Sequence, residues 1–144
     1  MDQKIPIAVI GVGGHGQKHA RALKEVAGAE LVGVYDLRAE RGAQVAAELG
    51  VRAFASLDEA LSGVRAVSIV IPTTDHAAVA RQALARGVDV LVEKPITRTL
   101  TEADELIEQA AARRLILQVG HVERFNPGAV AAKAEAQRPL FFEI

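Results

Sequence analysis

The sequence predicts an α/β fold built on a doubly wound parallel sheet. Three observations carry that prediction. Short runs rich in Val, Ile and Leu alternate with longer alanine-rich stretches of helical period. Several of the short runs are apolar at consecutive positions, as strands covered by helices on both faces must be. A glycine-rich hexapeptide stands at the first strand-to-helix junction. Alternation with short connections implies right-handed crossovers between parallel strands.

The first strand is predicted over residues 7–10, and Pro6 is tolerated because it stands at the start of that strand. Further strands are predicted over 31–35, 52–55, 66–71, 88–92 and 115–119. The intervening helices are predicted over 14–26, 38–49, 58–61, 75–86 and 101–113. In the last of these, Ala103, Leu106, Ile107 and Ala110 repeat at i, i+3, i+4, i+7, the stripe of a helix packed on a sheet. Thr101, three residues before Asp104, is its expected N-cap. Thr74 or Asp75 is expected to cap the helix before it, and Gly87 to end that helix at C′.

A helix is then expected over 127–137. After Pro139 the chain ends in "LFFEI", a strand pattern with no sequence left to pair with it. The expected organisation is a dinucleotide-binding domain over 1–120. Residues 121–144 would form a connecting loop, a helix and the first strand of a second, absent α/β domain. The chain is therefore read as truncated at the start of that domain.

Bulk properties narrow the class. Of 144 residues, half are apolar and a quarter charged, and the net charge is −1. Such a balance gives no broad electrostatic pull toward nucleic acid or anionic membrane. The chain has no cysteine, which excludes disulfides, thiolate metal sites and thiol catalysis. No signal-peptide pattern opens it and no apolar run is long enough to span a bilayer, so a cytoplasmic location is expected.

"GVGGHG" supplies Gly11, Gly13 and Gly16 of a G-x-G-x-x-G pattern, with Gly14 and His15 inside it. The hexapeptide follows a predicted strand, opens a predicted helix, and precedes by twenty residues Asp36 at the end of the second strand. Gly11 permits the tight turn, Gly13 lets the backbone approach a pyrophosphate, and Gly16 lets helix and strand pack closely. The helix N-terminus offers free N–H groups to the anion. Asp36 would accept hydrogen bonds from an adenosine ribose. A carboxylate there favours NAD, while Arg38 could soften that preference, so NADP stays open. A purely structural turn with a surface aspartate is the competing explanation. His15 and His19 also have the i, i+4 spacing of a metal pair, but no third ligand is recognisable nearby in sequence.

Ligands of open α/β sheets bind beyond the carboxyl ends of the strands. There the chain reads "PTTDH" after strand four, "EKP" after strand five and "GHVERFNP" after strand six. These loops hold Thr73, His76, Glu93, Lys94, His121 and Arg124. His76 fits an ordinary surface histidine equally well.

Together, "AVIGVGGHGQKHA", "VYD", "IPTTDH", "VEKP" and "VGHVERFNP" resemble, in order and spacing, the N-terminal domain of the Gfo/Idh/MocA oxidoreductases. The resemblance covers essentially the whole chain. It implies a Rossmann-type domain and NAD(P)-dependent hydride transfer at a secondary hydroxyl or ketone of a sugar, sugar nucleotide or cyclitol. The last loop is most similar to the sugar-nucleotide branch, in which UDP-linked amino sugars are oxidised at C3. The resemblance further implies that the glycine loop holds the pyrophosphate and that Thr73 and His76 line the cofactor. Lys94 would reach the nicotinamide ribose and the substrate hydroxyl, Glu93 would balance its charge, and the Lys94–Pro95 bond would be cis. His121 and Arg124 are the candidate substrate contacts.

In this family the general base, the rest of the substrate pocket and the oligomer interface belong to the C-terminal domain. The full-length protein is accordingly expected to be a homo-oligomer and the isolated domain inactive. Two rivals remain: a non-catalytic NAD(H)-sensing module, and a methyltransferase using S-adenosylmethionine, which gives no reason for E-K-P.

Overall fold

The computed structural model describes residues 4–136. A six-stranded, wholly parallel sheet forms from β1 (Ile5–Ile10), β2 (Ala29–Tyr35), β3 (Arg52–Ala53), β4 (Ala66–Ile69), β5 (Asp89–Val92) and β6 (Leu117–Val119). Its order is β3-β2-β1-β4-β5-β6. Strand order therefore reverses between β1 and β4, opening a crevice at their carboxyl ends. The helices are α1 (Gly14–Glu25), α2 (Ala39–Leu49), α3 (Leu57–Ala60), α4 (Thr73–Ala85), α5 (Leu100–Arg113) and α6 (Pro127–Glu135).

Period-two alternation along β1 divides the core between the two faces of the sheet. Ala8 and Ile10 join Val67, Ile69, Leu84, Val90, Val92 and Leu106 in a cluster that includes α4 and α5 residues. Val9, between them, joins Val34 of β2, Ala20 of α1 and Val45 of α2 in a second cluster. Each fully buried Val, Leu or Ile contributes about 1.5–3 kcal/mol from apolar burial. β1 lies at the centre of the sheet because both of its faces are apolar.

β1 begins at Ile5, two residues earlier than predicted, so Pro6 is its second residue. Its carbonyl accepts from the Arg65 N–H at 2.9 Å, so its missing N–H points to the β4 side. That ladder begins only at Ile7↔Ala66, and no bond is forfeited. β3 is shorter than predicted, because the Ala55 N–H turns away to the Glu59 carboxylate and Ser56 caps α3 through the Glu59 N–H. β4 stops at Ile69, ahead of Pro72. Asp89 ties the sheet's lower edge, accepting from Arg65 Nε at 3.0 Å and from the Ile116 N–H at 2.9 Å.

Two expected caps are corrected. α5 begins a residue early, with Thr99 as its N-cap in a reciprocal capping box with Glu102, not Thr101 with Asp104. α4 has Pro72 at its N-cap, and neither Thr74 nor Asp75 caps it. Proline's fixed φ ends β4 and starts the helix without a side-chain acceptor. Gly87 does stand past the end of α4 with φ +78°. Asn126 Oδ1 accepts from the Gly128 N–H at 2.9 Å and caps α6. The predicted "LFFEI" strand lies outside the described residues.

Candidate cofactor and active site

The glycine loop joins β1 to α1 at the point where strand order reverses. Gly11 has φ +86°, and a Cβ there would lie 2.4 Å from the Val70 carbonyl oxygen. At Gly16 a Cβ would lie 1.9 Å from the Gly11 carbonyl oxygen. Helix and turn thus meet backbone to backbone, which only glycine permits. Gly13 and Gly14 differ: a Cβ at either would meet nothing within 4 Å. Their open side is the one a ligand backbone contact needs. α1 starts there without a side-chain cap or an acidic first turn, so its first N–H groups remain available to an anion.

Beside this loop lies a cleft of about 350 Å³, lined by Gly11, Gly13, Asp36, Leu37, Arg41, Pro72, Asp75 and apolar residues of β1, β2 and α4. Asp36 is buried at its edge, with a side chain 2% exposed. Its Oδ2 accepts from the Val12 N–H at 2.9 Å and its Oδ1 from the Arg38 N–H at 2.8 Å. Arg41 grips both oxygens, through Nε at 2.9 Å and a terminal nitrogen at 2.8 Å. Burial pushes the Asp36 pKa up, but the Arg41 and backbone hydrogen bonds outweigh it and hold the carboxyl below its usual range.

Sequence reasoning named Arg38 as the arginine beside Asp36. It is the Arg38 backbone that makes the contact, and Arg38 is not among the cleft's lining residues. Arg41, which sequence reasoning missed, occupies that place as the third residue of α2. A lowered folded-state pKa means that Asp36 stabilises the fold above its unfolded value, near 4. That stability is lost as pH falls through the folded value. Urea unfolding from neutral pH to about pH 3 is expected to lose stability less steeply in Asp36→Asn than in the parent chain.

The E-K-P turn follows β5, and its Lys94–Pro95 bond is cis. Lys94 is exposed, whereas Glu93 is buried. Glu93 Oε2 accepts from the Lys94 N–H at 3.2 Å. Its other oxygen, Oε1, faces α1: His19 Nε2 lies 3.2 Å away and His15 Nε2 3.6 Å. His19 Nδ1 meets the buried Ser68 Oγ at 2.9 Å. Burial lowers the His19 pKa below its ordinary value; Glu93 opposes the shift and His15 adds to it. Gly120, at the end of β6, presses on the same carboxylate, since a Cβ there would lie 2.5 Å from Oε1.

His15, Glu93 and His121 line a shared groove of about 450 Å³ between α1 and the ends of β5 and β6. Arg124 sits with His121 on the exposed side of β6. His76 behaves differently from its expected role along the cofactor. It is 1% exposed, with Nδ1 2.9 Å from the Pro95 carbonyl oxygen and Nε2 2.9 Å from that of Ile71. The ring ties the end of β4 to the E-K-P turn, and it is absent from the cleft lining. Thr73 is the first residue of α4, half-buried beside the cleft residue Pro72.

Strand order and glycine cradle place the chain among the doubly wound nucleotide-binding domains of Rossmann type. Residues 5–121 match the GFO_IDH_MocA family, described as "Oxidoreductase family, NAD-binding Rossmann fold". The chain belongs to this family of oxidoreductases and carries its NAD-binding fold.

The chain is 52% identical over 119 residues to UDP-N-acetylglucosamine 3-dehydrogenase of Acidithiobacillus ferrooxidans, covering 83% of this chain and 37% of that protein. It is 36% identical to the NAD(+)-dependent scyllo-inositol 2-dehydrogenase of Bacillus subtilis, covering 99% of this chain and 44% of the relative. The solved structure of GenD2 from gentamicin A biosynthesis, in complex with NAD, superposes with a TM-score of 0.90 at 33% identity. That superposition covers 94% of this chain and 39% of GenD2. The chain thus spans about two-fifths of the length of these relatives. No helix among the described residues is long and apolar enough to cross a membrane.

Proposed function

We propose that this chain binds the dinucleotide for a dehydrogenase that oxidises a secondary hydroxyl of a nucleotide-linked sugar. The observation that carries the proposal is the shared edge of β4, β5 and β6. There the Lys94 turn and the His121 loop follow neighbouring strands, and the groove that His121 lines reaches His15 of the glycine loop. The identity to UDP-N-acetylglucosamine 3-dehydrogenase supports a UDP-linked amino sugar over a cyclitol.

In this reading Gly11, Gly13, Gly14, His15 and Gly16 receive the pyrophosphate end and Asp36 receives the adenosine ribose, with Arg41 holding the carboxylate. Bound NAD supplies the hydride acceptor. Lys94 carries the positive charge that polarises the substrate hydroxyl and lowers its pKa. Glu93 fixes the backbone of Lys94. His121 and Arg124 meet the substrate, Thr73 borders the cofactor, and His76 holds the E-K-P turn in place. The proton-abstracting base belongs to a second domain that residues 121–144 lead into, and the whole protein is a cytoplasmic homo-oligomer.

Calorimetric titration of this chain is expected to give tighter binding of NAD(H) than of NADP(H), by about tenfold or more, which is about 1.4 kcal/mol. A 2′-phosphate would meet the Asp36 carboxylate. Equal affinities would place Arg41, rather than Asp36, in control of the ribose end. The full-length protein is expected to reduce NAD with UDP-N-acetylglucosamine as substrate, read by NADH absorbance. Binding of NAD without turnover of any UDP-sugar or cyclitol would favour the sensing module instead.

A further inference from the structure

We infer that His15, His19 and Glu93 form a site for one divalent transition-metal ion of the zinc class. The site shares His15 and Glu93 with the dehydrogenase reading, but its test, metal binding by the chain without dinucleotide, does not depend on that reading. Their donor atoms, one from each residue, all lie within 4.8 Å of one another among the described residues. Two imidazole nitrogens one helical turn apart on α1 face a carboxylate delivered from the end of β5. That pairing of i, i+4 histidines with a third ligand from another element is a familiar way to build a three-ligand zinc site. Zinc–nitrogen and zinc–oxygen bonds near 2 Å put tetrahedral donors about 3.3 Å apart. The two separations from Glu93 Oε1, 3.2 and 3.6 Å, already match. The His15 side chain, 55% exposed, is free to turn toward the ion.

The surroundings fit a ligand set. Ser68 Oγ, 2.9 Å from His19 Nδ1, is the outer oxygen that orients a ligating imidazole. Glu93 Oε2 is held by the Lys94 N–H, which leaves Oε1 for the ion. Two imidazoles and one carboxylate suit zinc or a neighbouring transition metal better than magnesium or calcium. Three protein ligands leave a fourth position, open to the groove that His121 also lines.

A chain of hydrogen bonds from Ser68 through His19 to Glu93 would account for His19 alone. It gives no reason for the exposed His15 ring to bring a second nitrogen to the same oxygen.

The test is titration of the tag-free 144-residue chain with Zn2+ at neutral pH, by calorimetry, and with Co2+, by visible absorption. One equivalent is expected to bind, with the absorption bands of a low-coordinate Co2+ site. His15→Ala, at an exposed position that should not disturb folding, is expected to weaken binding by about 100-fold or more. Ser68→Ala is expected to weaken it by about 10- to 100-fold as an outer partner. Circular dichroism of each variant separates lost ligands from lost fold. Absence of one-equivalent binding at micromolar Zn2+, or binding that His15→Ala leaves unchanged, would overturn the site.

Discussion

Replacing Lys94 with alanine in the full-length enzyme is expected to lower kcat by about 100- to 10,000-fold, the range for a positioned group acting on a proton or a developing charge. Affinity for NAD should change far less. The structure gives the reason for this division. The dinucleotide cleft is lined by the glycine loop, Asp36 and Arg41, with Lys94 outside it. Lys94 instead projects from the turn beyond β5, its backbone held by Glu93 and the neighbouring Pro95 carbonyl by His76. The amine therefore has a fixed root and an exposed, mobile end, ready to meet a hydroxyl once substrate arrives. Lys94→Arg keeps the charge but spreads it over a planar fork, so it should recover only part of the rate. Stopped-flow turnover beside calorimetric NAD affinity checks both arms. A Lys94→Ala enzyme with parental turnover would remove Lys94 from the chemistry.

Much of this arrangement was legible in the sequence, and for identifiable reasons. Apart from Ser68 and Asp89, the runs at 66–71 and 88–92 are apolar on both faces, which marks them as parallel strands covered by helices. The glycine loop was legible because backbone contact at Gly16 leaves no room for any other residue. Parts set by side-chain direction were not legible. Arg38 and Arg41 both follow Asp36, and helix geometry decides that only Arg41 swings back to hold the carboxylate. Nothing local distinguishes His76 as an inward staple from a surface histidine, because its partners, Ile71 and Pro95, lie on two different loops. The absence of a third ligand for His15 and His19 was a statement about sequence neighbours. Glu93 lies far from them along the chain but touches both across the sheet edge. Ser68 carried a usable signal, as a lone hydroxyl in an apolar strand whose burial demands a partner.

Alanine substitutions at Gly16 and Gly13 are expected to separate folding from binding within one loop. At Gly16 the added methyl would stand 1.9 Å from the Gly11 carbonyl oxygen, a backbone atom with no side-chain rotation to relieve it. α1 would have to move away from β1, opening the Val9–Val12–Ala20 packing behind it. Over-packing of this kind costs about 1–3 kcal/mol, which for a domain of this size lowers Tm by about 3–9 °C. Gly13 has φ −63° and ψ −173°, which alanine adopts without strain, and its Cβ would meet nothing within 4 Å. Alanine is a poorer N-cap than glycine, but it also narrows the unfolded ensemble, and the two effects offset within about 1 kcal/mol. The Gly13→Ala chain should therefore melt within about 3 °C of the parent. It should nonetheless bind NAD at least about tenfold more weakly, because the methyl occupies the space a pyrophosphate needs to reach the loop backbone. Thermal unfolding followed by circular dichroism, with calorimetric NAD titration of each variant, reads the two effects separately. Should Gly13→Ala bind NAD as tightly as the parent, the open side of the loop would not be where the dinucleotide sits.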